Sequence, residues 1–575
     1  MLPPQWPFSH PRKPSTLPGR SSMSAAGGCF DFVEPSMKAL TAGEMREVDR
    51  LTTERYGVPS LQLMEEAGKH IANVARLKLY GNTNKRAAFL CGKGNNGGDG
   101  FVAARFLKED KLGVDFEPIV FLFGSSNELR GDAAENLSRW LKCSGKITEV
   151  RDSASLEAAW PKIASAHTIV DALLGTGLRG PAAGVIAEAI TRLNKFSRNA
   201  TLARPAFILA VDIPSGLPSD GQPAEGPVLF AHQTVTFTAP KIGQLLSNQA
   251  GCCGHLEVRQ IGSPAALVEE IGQGSARWAE PEEFASLPLV RAGDSHKGTY
   301  GHVLLLAGSM GKSGAAILAG RAALRSGAGL VTIATPEPVQ PIVAVGQPEY
   351  MTEPLQATKS GTLSLRSLVD GTFGELEEGK SVLAIGPGLG THRQTQEFIR
   401  TIVTQTELPV LLDADGLNAF AEHADSLRKR NTKFLAITPH PGEMARLLGA
   451  STKDVQADRM KVARESALKW NAHVILKGFH SIVASPTGDL CINTAGNAGL
   501  AKGGSGDVLS GLLAALTSQF GTQDWHRVLA LGVYLHGLAA EDSAQTHELS
   551  GVLAQEVVQS LPSSRDRLIR ELQRG

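Results

Sequence analysis

Ala87-Ala88-Phe89-Leu90-Cys91 is an apolar run that passes without a break into Gly92-Lys93-Gly94-Asn95-Asn96-Gly97-Gly98-Asp99-Gly100, and an apolar helix follows from Phe101. Strand, glycine-rich turn and helix in that order open a βαβ unit, so this stretch predicts an α/β fold. It also predicts a site, because free N–H groups and the dipole at a helix start attract anions, phosphate above all. Gly92, Gly94 and Gly97 match GxGxxG. A dinucleotide dehydrogenase with that motif needs an acidic residue after its second strand to hold the ribose. Here the second apolar run, 118–123, leads to Gly124-Ser125-Ser126, which disfavours an ordinary hydride-transfer enzyme.

Outward from this stretch, apolar runs alternate with helical patterns. The first series lies at 87–91, 118–123, 168–170, 207–211 and 234–238, and the second at 302–306, 330–334, 382–385, 410–412, 434–437 and 474–476. Such alternation predicts mainly parallel sheets. Around 262–276 the chain turns rich in Gly, Ala and Glu and loses strong strand signals. The expected organisation is therefore two α/β domains, 37–262 and 291–575, joined by a linker at 263–290. A length of 575 residues fits two large domains as well as four of about 150 residues. Residues 1–36 are rich in Pro, Ser and Gly, with no acid before Asp31. They read as a disordered extension, or as a start ahead of the true one at Met23 or Met37; a targeting peptide is the other reading.

Composition excludes several classes. Lys+Arg and Asp+Glu both number 57, and this zero balance argues against a nucleic-acid or membrane-surface partner. The six cysteines form no CxxC pattern, so no zinc site is expected and a reducing, cytoplasmic setting is. No apolar run approaches the about 20 residues of a membrane span.

Polar loops follow the apolar runs. In the first half, Asp171 precedes Gly175-Thr176-Gly177-Leu178-Arg179-Gly180, and Asp212 precedes Pro214-Ser215-Gly216. The strand ends of a parallel sheet converge on one crevice, where Asn96, Asp171 and Ser215 could form an oxygen cage for a hard cation. The plainer reading of each acid alone is a helix cap or turn former. In the second half the loops are 308–311, 386–390, 413–416 and 439–443, and then Asn497–Asp507, which opens a helix. Gly503–Gly506 can present N–H donors to transferring phosphate oxygens. Asp507 beside them could take a proton from an attacking hydroxyl, against the plainer reading of a helix N-cap.

With these residues assembled, the run GKGNNGGDG, followed by DALLGTGLRG and VDIPSG, closely resembles the NAD(P)HX epimerase family over about 37–261. The resemblance implies an N-terminal Rossmann-like, three-layer α/β/α domain. It implies that Asn95, Asn96, Gly97, Gly98 and Asp99, with Gly175, Thr176, Gly177, Leu178, Arg179, Gly180 and Pro181, contact a dinucleotide hydrated at C6 of its nicotinamide ring. It further implies Asp212 as a substrate and acid/base residue, and Asn96, Asp171 and Ser215 as potassium ligands.

GPGLG, DADGLNAF, TPHPGE, KGFHS and NAGLAKGGSGD together resemble the ADP/ATP-dependent NAD(P)HX dehydratases, of the ribokinase-like superfamily, over about 296–561. This implies nucleotide contacts at Lys477, Gly478, Phe479, His480, Ser481 and Gly506, and substrate contacts near Ala315, Gly388, His440 and Asp507, with magnesium on the phosphates. The implied activity is repair of NADHX and NADPHX by a homo-oligomer: R and S epimers are interconverted, and the S form is dehydrated at the expense of ADP or ATP. The alternative is a small-molecule hydroxyl kinase of the same superfamily with a non-catalytic N-terminal binding module.

Overall fold

Two sheets carry the fold of the computed structural model, which describes residues 37–110, 115–198, 206–369, 371–521 and 524–574; the expected extension at 1–36 lies outside them. The first sheet contains β1 (Arg86–Cys91), β2 (Glu117–Leu122), β3 (Ile147–Glu149), β4 (Thr168–Ala172), β5 (Phe207–Val211), β6 (Gln233–Phe237) and β7 (His255–Arg259). Its order is β3-β2-β1-β4-β5-β6-β7, with every pairing parallel. Alternate residues serve opposite faces: Phe89 packs with Phe101 and Leu122 on one side, Leu90 with Ile169 and Ile208 on the other. Burial on both faces is why these central strands read as unbroken apolar runs.

The second sheet contains β8 (Arg277–Trp278), β9 (His302–Leu306), β10 (Leu330–Pro336), β11 (Met351–Leu355), β12 (Val382–Ile385), β13 (Val410–Leu412), β14 (Leu435–Ile437), β15 (His473–Leu476), β16 (Ser481–Ala484) and β17 (Leu490–Asn493). Its order is β11-β10-β9-β12-β13-β14-β15-β16-β17-β8. Pairing is parallel from β11 to β15, antiparallel through β16 and β17, and parallel again to β8. Each sheet reverses its winding once, between β1 and β4 and between β9 and β12. Ligand crevices of doubly wound sheets open at such switch points.

The strands that apolar runs did not announce are β3, β7 and β11 at sheet edges, the hairpin strands β16 and β17, and the two-residue β8. Edge strands such as His255-Leu-Glu-Val-Arg259 bury only part of their surface, so no continuous apolar signal is required of them. The helix expected from Phe101 starts at Asn95, with Gly94 as its N-cap.

Residues 263–290 carry structure of their own, with a helix at Ala265–Ile271 and then β8. Lys38 Nζ donates to the Gly272 carbonyl at 2.6 Å, the Ala39 N–H to Ala276 at 2.8 Å, and the Leu40 N–H to Pro240 at 2.9 Å. Residues 38–40 thus stitch the first sheet's last loops to the strand that extends the second. Ala39, Ile242 and Leu245 share a buried apolar cluster with Trp278 and Leu476.

Candidate active sites

At the β1/β4 switch point a cavity of about 730 Å³ is lined by Asn95, Asn96, Asp99, Gly175, Thr176, Gly177, Leu178, Arg179 and Asp212. Of the other residues expected to touch a dinucleotide, Gly97 and Gly98 lie buried behind the lining, and Gly180 and Pro181 sit on the exposed end of their loop. A Cβ on Gly97 would lie 2.0 Å from the Gly92 carbonyl oxygen, so glycine there is what lets helix and turn touch backbone to backbone.

Asn96, Asp171 and Ser215 meet around Leu174. Ser215 Oγ donates to Asp171 Oδ1 at 2.5 Å and its N–H to Oδ2 at 2.8 Å. The Leu174 N–H donates to Ser215 Oγ at 2.9 Å, and Asn96 Nδ2 to the Leu174 carbonyl at 3.0 Å. Asp171 is fully buried, and the partners that hold it are neutral. Burial pushes its carboxyl up to about 6.

Asp212 follows β5 at φ +61°, a left-handed conformation uncommon for a non-glycine residue. Its Oδ1 accepts from the buried Lys241 ammonium and, at 2.9 Å, from Thr236 Oγ1. Lys241 also donates to Thr236 Oγ1 at 2.8 Å, and Gln244 Nε2 donates to the Asp212 carbonyl at 2.6 Å. Sequence reasoning missed Lys241; its signal was a lysine just after β6, in Thr238-Ala-Pro-Lys241. Asp49 also lines the cavity. Burial pushes its carboxyl up to about 6, and pushes that of Asp99 well above the usual range.

In the second half, helix Ser505–Phe520 is capped by Gly504 at φ +91°, a conformation that suits glycine. Asp507 is the third residue of the helix, so it is not the N-cap. The N–H groups of a first turn have no acceptor within their helix, leaving those of Gly506 and Asp507 free for an anion. Beneath them lies a buried ion pair. Asp413 Oδ1 accepts from Lys477 Nζ at 2.7 Å and Thr438 Oγ1 at 2.6 Å, and its Oδ2 from Ser510 Oγ at 2.6 Å. Burial works against both charges, but each holds the other: Asp413 lies below, and Lys477 above, its usual range. Asp507 is pushed up to about 6, by burial first and then by the Asp413 charge, against the pull of Lys477.

His440 caps helix Pro441–Leu448, its Nδ1 accepting from the Gly442 N–H at 3.0 Å. Glu443 of that helix reaches within 3.9 Å of Lys477 Nζ, joining His440 to the same face as Asp507. Ala315 and Gly388 touch: a Cβ on Gly388 would lie 2.9 Å from that of Ala315. Asp415 ties this corner together, accepting from the Gly390 N–H at 2.8 Å and Lys312 Nζ at 3.0 Å. Asp413, Glu443, Asp415 and Lys312 were not singled out from sequence, although the first three stand in the strand-end loops 413–416 and 439–443.

The loop from Lys477 to Ser481 joins β15 to β16. Arg459 clamps it, donating to the Phe479 carbonyl at 2.7 Å and the His480 carbonyl at 2.8 Å. The Phe479 ring is exposed and stacks on His480 at 4.0 Å. His480, at φ +55°, turns inward and its Nδ1 donates to the Leu245 carbonyl of the first half.

Two doubly wound sheets, each with polar and charged groups gathered at its switch point, define a two-domain α/β enzyme. Comparison with known proteins agrees for both halves. Residues 60–243 match the family described as the YjeF-related protein N-terminus, and residues 303–563 match NAD(P)H-hydrate dehydratase. The chain is 40% identical to the bifunctional NAD(P)H-hydrate repair enzyme Nnr of Moorella thermoacetica, over 92% of this chain and 96% of the relative. It is 37% identical to the enzyme of that name from Thermofilum pendens, over 93% and 97%. Among solved structures, an ADP/ATP-dependent NAD(P)H-hydrate dehydratase from Bacillus subtilis, co-crystallised with ATP/Mg2+, is 35% identical over 50% of this chain and 97% of that one, with a TM-score of 0.43. The chain belongs to the bifunctional NAD(P)H-hydrate repair enzymes, with an epimerase half and a dehydratase half. Among the described residues no helix is long and apolar enough to cross a membrane.

Proposed function

We propose that residues 37–262 interconvert the R and S forms of NADHX and NADPHX, and that residues 291–575 dehydrate the S form to NADH or NADPH with ADP or ATP as phosphoryl donor. The observation that carries the second activity is Asp507, a carboxyl pushed toward neutrality beside the free N–H groups of a helix start. Asp507 takes the proton of the C6 hydroxyl as that oxygen attacks the terminal phosphorus. The Gly503–Gly506 turn, with the free N–H groups of Gly506 and Asp507 at its end, receives the phosphate oxygens. Expulsion of phosphate and loss of a C5 proton then restore the dihydronicotinamide ring. Lys477, Gly478, Phe479, His480 and Ser481 form the nucleotide edge, with the exposed Phe479 ring as a stacking surface. Ala315, Gly388 and His440 flank the substrate.

Two cations accompany this reading. The Asn96, Asp171 and Ser215 oxygens suit a hard cation, which would supply the counter-charge that Asp171, buried and held by neutral donors, lacks; the resemblance to the epimerases points to potassium. Magnesium would be held on the nucleotide phosphates, near Asp413 and Glu443, and would supply charge neutralisation there.

The test supplies mixed NADHX epimers with ADP or with ATP, and follows NADH absorbance and free phosphate together. Equal yields of NADH and phosphate are expected. A stable phosphorylated product without NADH would replace this reading with the hydroxyl kinase.

A further inference from the structure

Asp49 has no role in the reading above. It stands on helix Ala42–Tyr56, whose inner face buries Met45, Val48 and Leu51. It lines the same cavity as Asp99 and Asp212, and its Oδ1 is buried without a hydrogen-bond partner. Asp49, Asp99 and Asp212 thus share one cavity, and the ammonium beside them, Lys241, is bonded to Asp212. Arg46, Arg50, Lys93, Asp132 and Arg179 complete the charged lining, but Arg50 is held by Glu47 and Glu54 on the outer face and Lys93 by Glu128. Lys241 is committed to Asp212, and burial favours the protonated forms of Asp49 and Asp99.

We propose that Asp49 is the general acid of epimerisation and works opposite Asp212 as the base. The proposal rests on the epimerase reading of the first half. The C6 hydroxyl and the ring nitrogen N1 form a carbinolamine, whose opening requires one proton removed and one supplied. Asp212, with Lys241 stabilising its charge, takes the hydroxyl proton; the C6–N1 bond breaks to leave an aldehyde at C6, and N1 takes its proton from Asp49. Rotation about C5–C6 presents the other face. N1 then attacks C6, returning its proton to Asp49, and Asp212 returns its own to oxygen. Nothing is oxidised or reduced, and no atom is lost. Burial pushes Asp49 up to about 6, Lys241 draws it down and Asp212 pushes it up further. Environments that separate the protonation of neighbouring carboxyls are how acid and base roles are divided.

The test uses the full chain without nucleotide, so that dehydration is silent, and follows enriched R-NADHX turning into the S form by chromatography. Asp49→Asn is expected to lower kcat about 10²–10⁴-fold with KM changed little, and Asp49→Glu to recover part of the loss. The wild-type rate should fall along an alkaline limb as Asp49 loses its proton, and Asp49→Asn should lack that limb. A thermal melt that keeps the wild-type transitions reports that the variant is folded; if it does not, Asp49→Glu and the wild-type pH profile decide. Interconversion by Asp49→Asn at near wild-type rate, or a retained alkaline limb, overturns the proposal. A wild-type chain that does not interconvert the epimers overturns the epimerase reading itself.

Discussion

Asp507 and the Asp413–Lys477 pair pose opposite problems of buried charge. Asp507 is raised to about 6 chiefly by burial, so its ionised form is the disfavoured one in the folded state. A carboxyl raised on folding makes the protein more stable as pH falls through about 6, and less stable above it. Asp507→Asn removes that penalty. We expect it to raise stability at pH 7 by roughly 1–2 kcal/mol while cutting dehydration about 10²–10⁴-fold. Thermal melts and NADH release on one preparation check both. In the wild type, dehydration should decline below about pH 6 as Asp507 takes up its proton. Lys477 is the reverse case: both members of its pair favour the charged state. Lys477→Met leaves Asp413 buried and uncompensated, and should cost about 3–5 kcal/mol in denaturant titrations. A loss below 1 kcal/mol would show that Asp413 does not depend on its partner.

The helix start is the element on which the first site turns. Gly94 and Gly97 stand three residues apart in one motif, yet their surroundings differ. A Cβ on Gly97 would meet the Gly92 carbonyl oxygen at 2.0 Å, whereas one on Gly94 meets nothing within 4 Å. Backbone cannot give way as a side-chain tip can, so Gly97→Ala should cost about 3 kcal/mol, with Gly94→Ala close to neutral in a parallel thermal melt. Equal melting temperatures would mean that the turn and helix are not in contact. The motif's form announces a tight turn for both residues; which glycine is needed for packing depends on a carbonyl five residues back, brought under the helix by the fold.

Across the whole molecule the two halves are joined by hydrogen bonds and apolar contacts as well as by the chain itself. Residues 38–40 bond to loops on both sides of the boundary, His480 of the β15–β16 loop donates to Leu245, and Ile242 and Leu245 belong to the second sheet's apolar cluster. Cleavage between Ile271 and Gly272 should therefore leave the halves associated, co-eluting from a sizing column until denaturant is added. If the second half is then isolated, it should dehydrate S-NADHX with KM for ADP or ATP raised about 2–10-fold, the worth of one lost hydrogen bond on the loop. An unchanged KM would show that His480 orders the loop without Leu245.

By itself, the sequence determined the two α/β series, the central strands to within a residue or two, and the polar loops that end them. Those features are written locally, in runs of Val, Ile and Leu buried on both faces and in glycines at turns. The tertiary structure alone decided what each loop acid faces. Asp212 finds Lys241 and Asp413 finds Lys477 across 29 and 64 residues, and Asp49 reaches the cavity from a helix before the first strand. Whether a carboxyl is ionised depends on burial and on charges within a few ångströms, and neither is a property of neighbouring residues in the chain. The segment 263–290 shows the same division. Its composition reads as a linker because a two-residue strand carries no periodicity, and Arg277–Trp278 become a strand only because Cys491 and Ile492 lie alongside to pair with them.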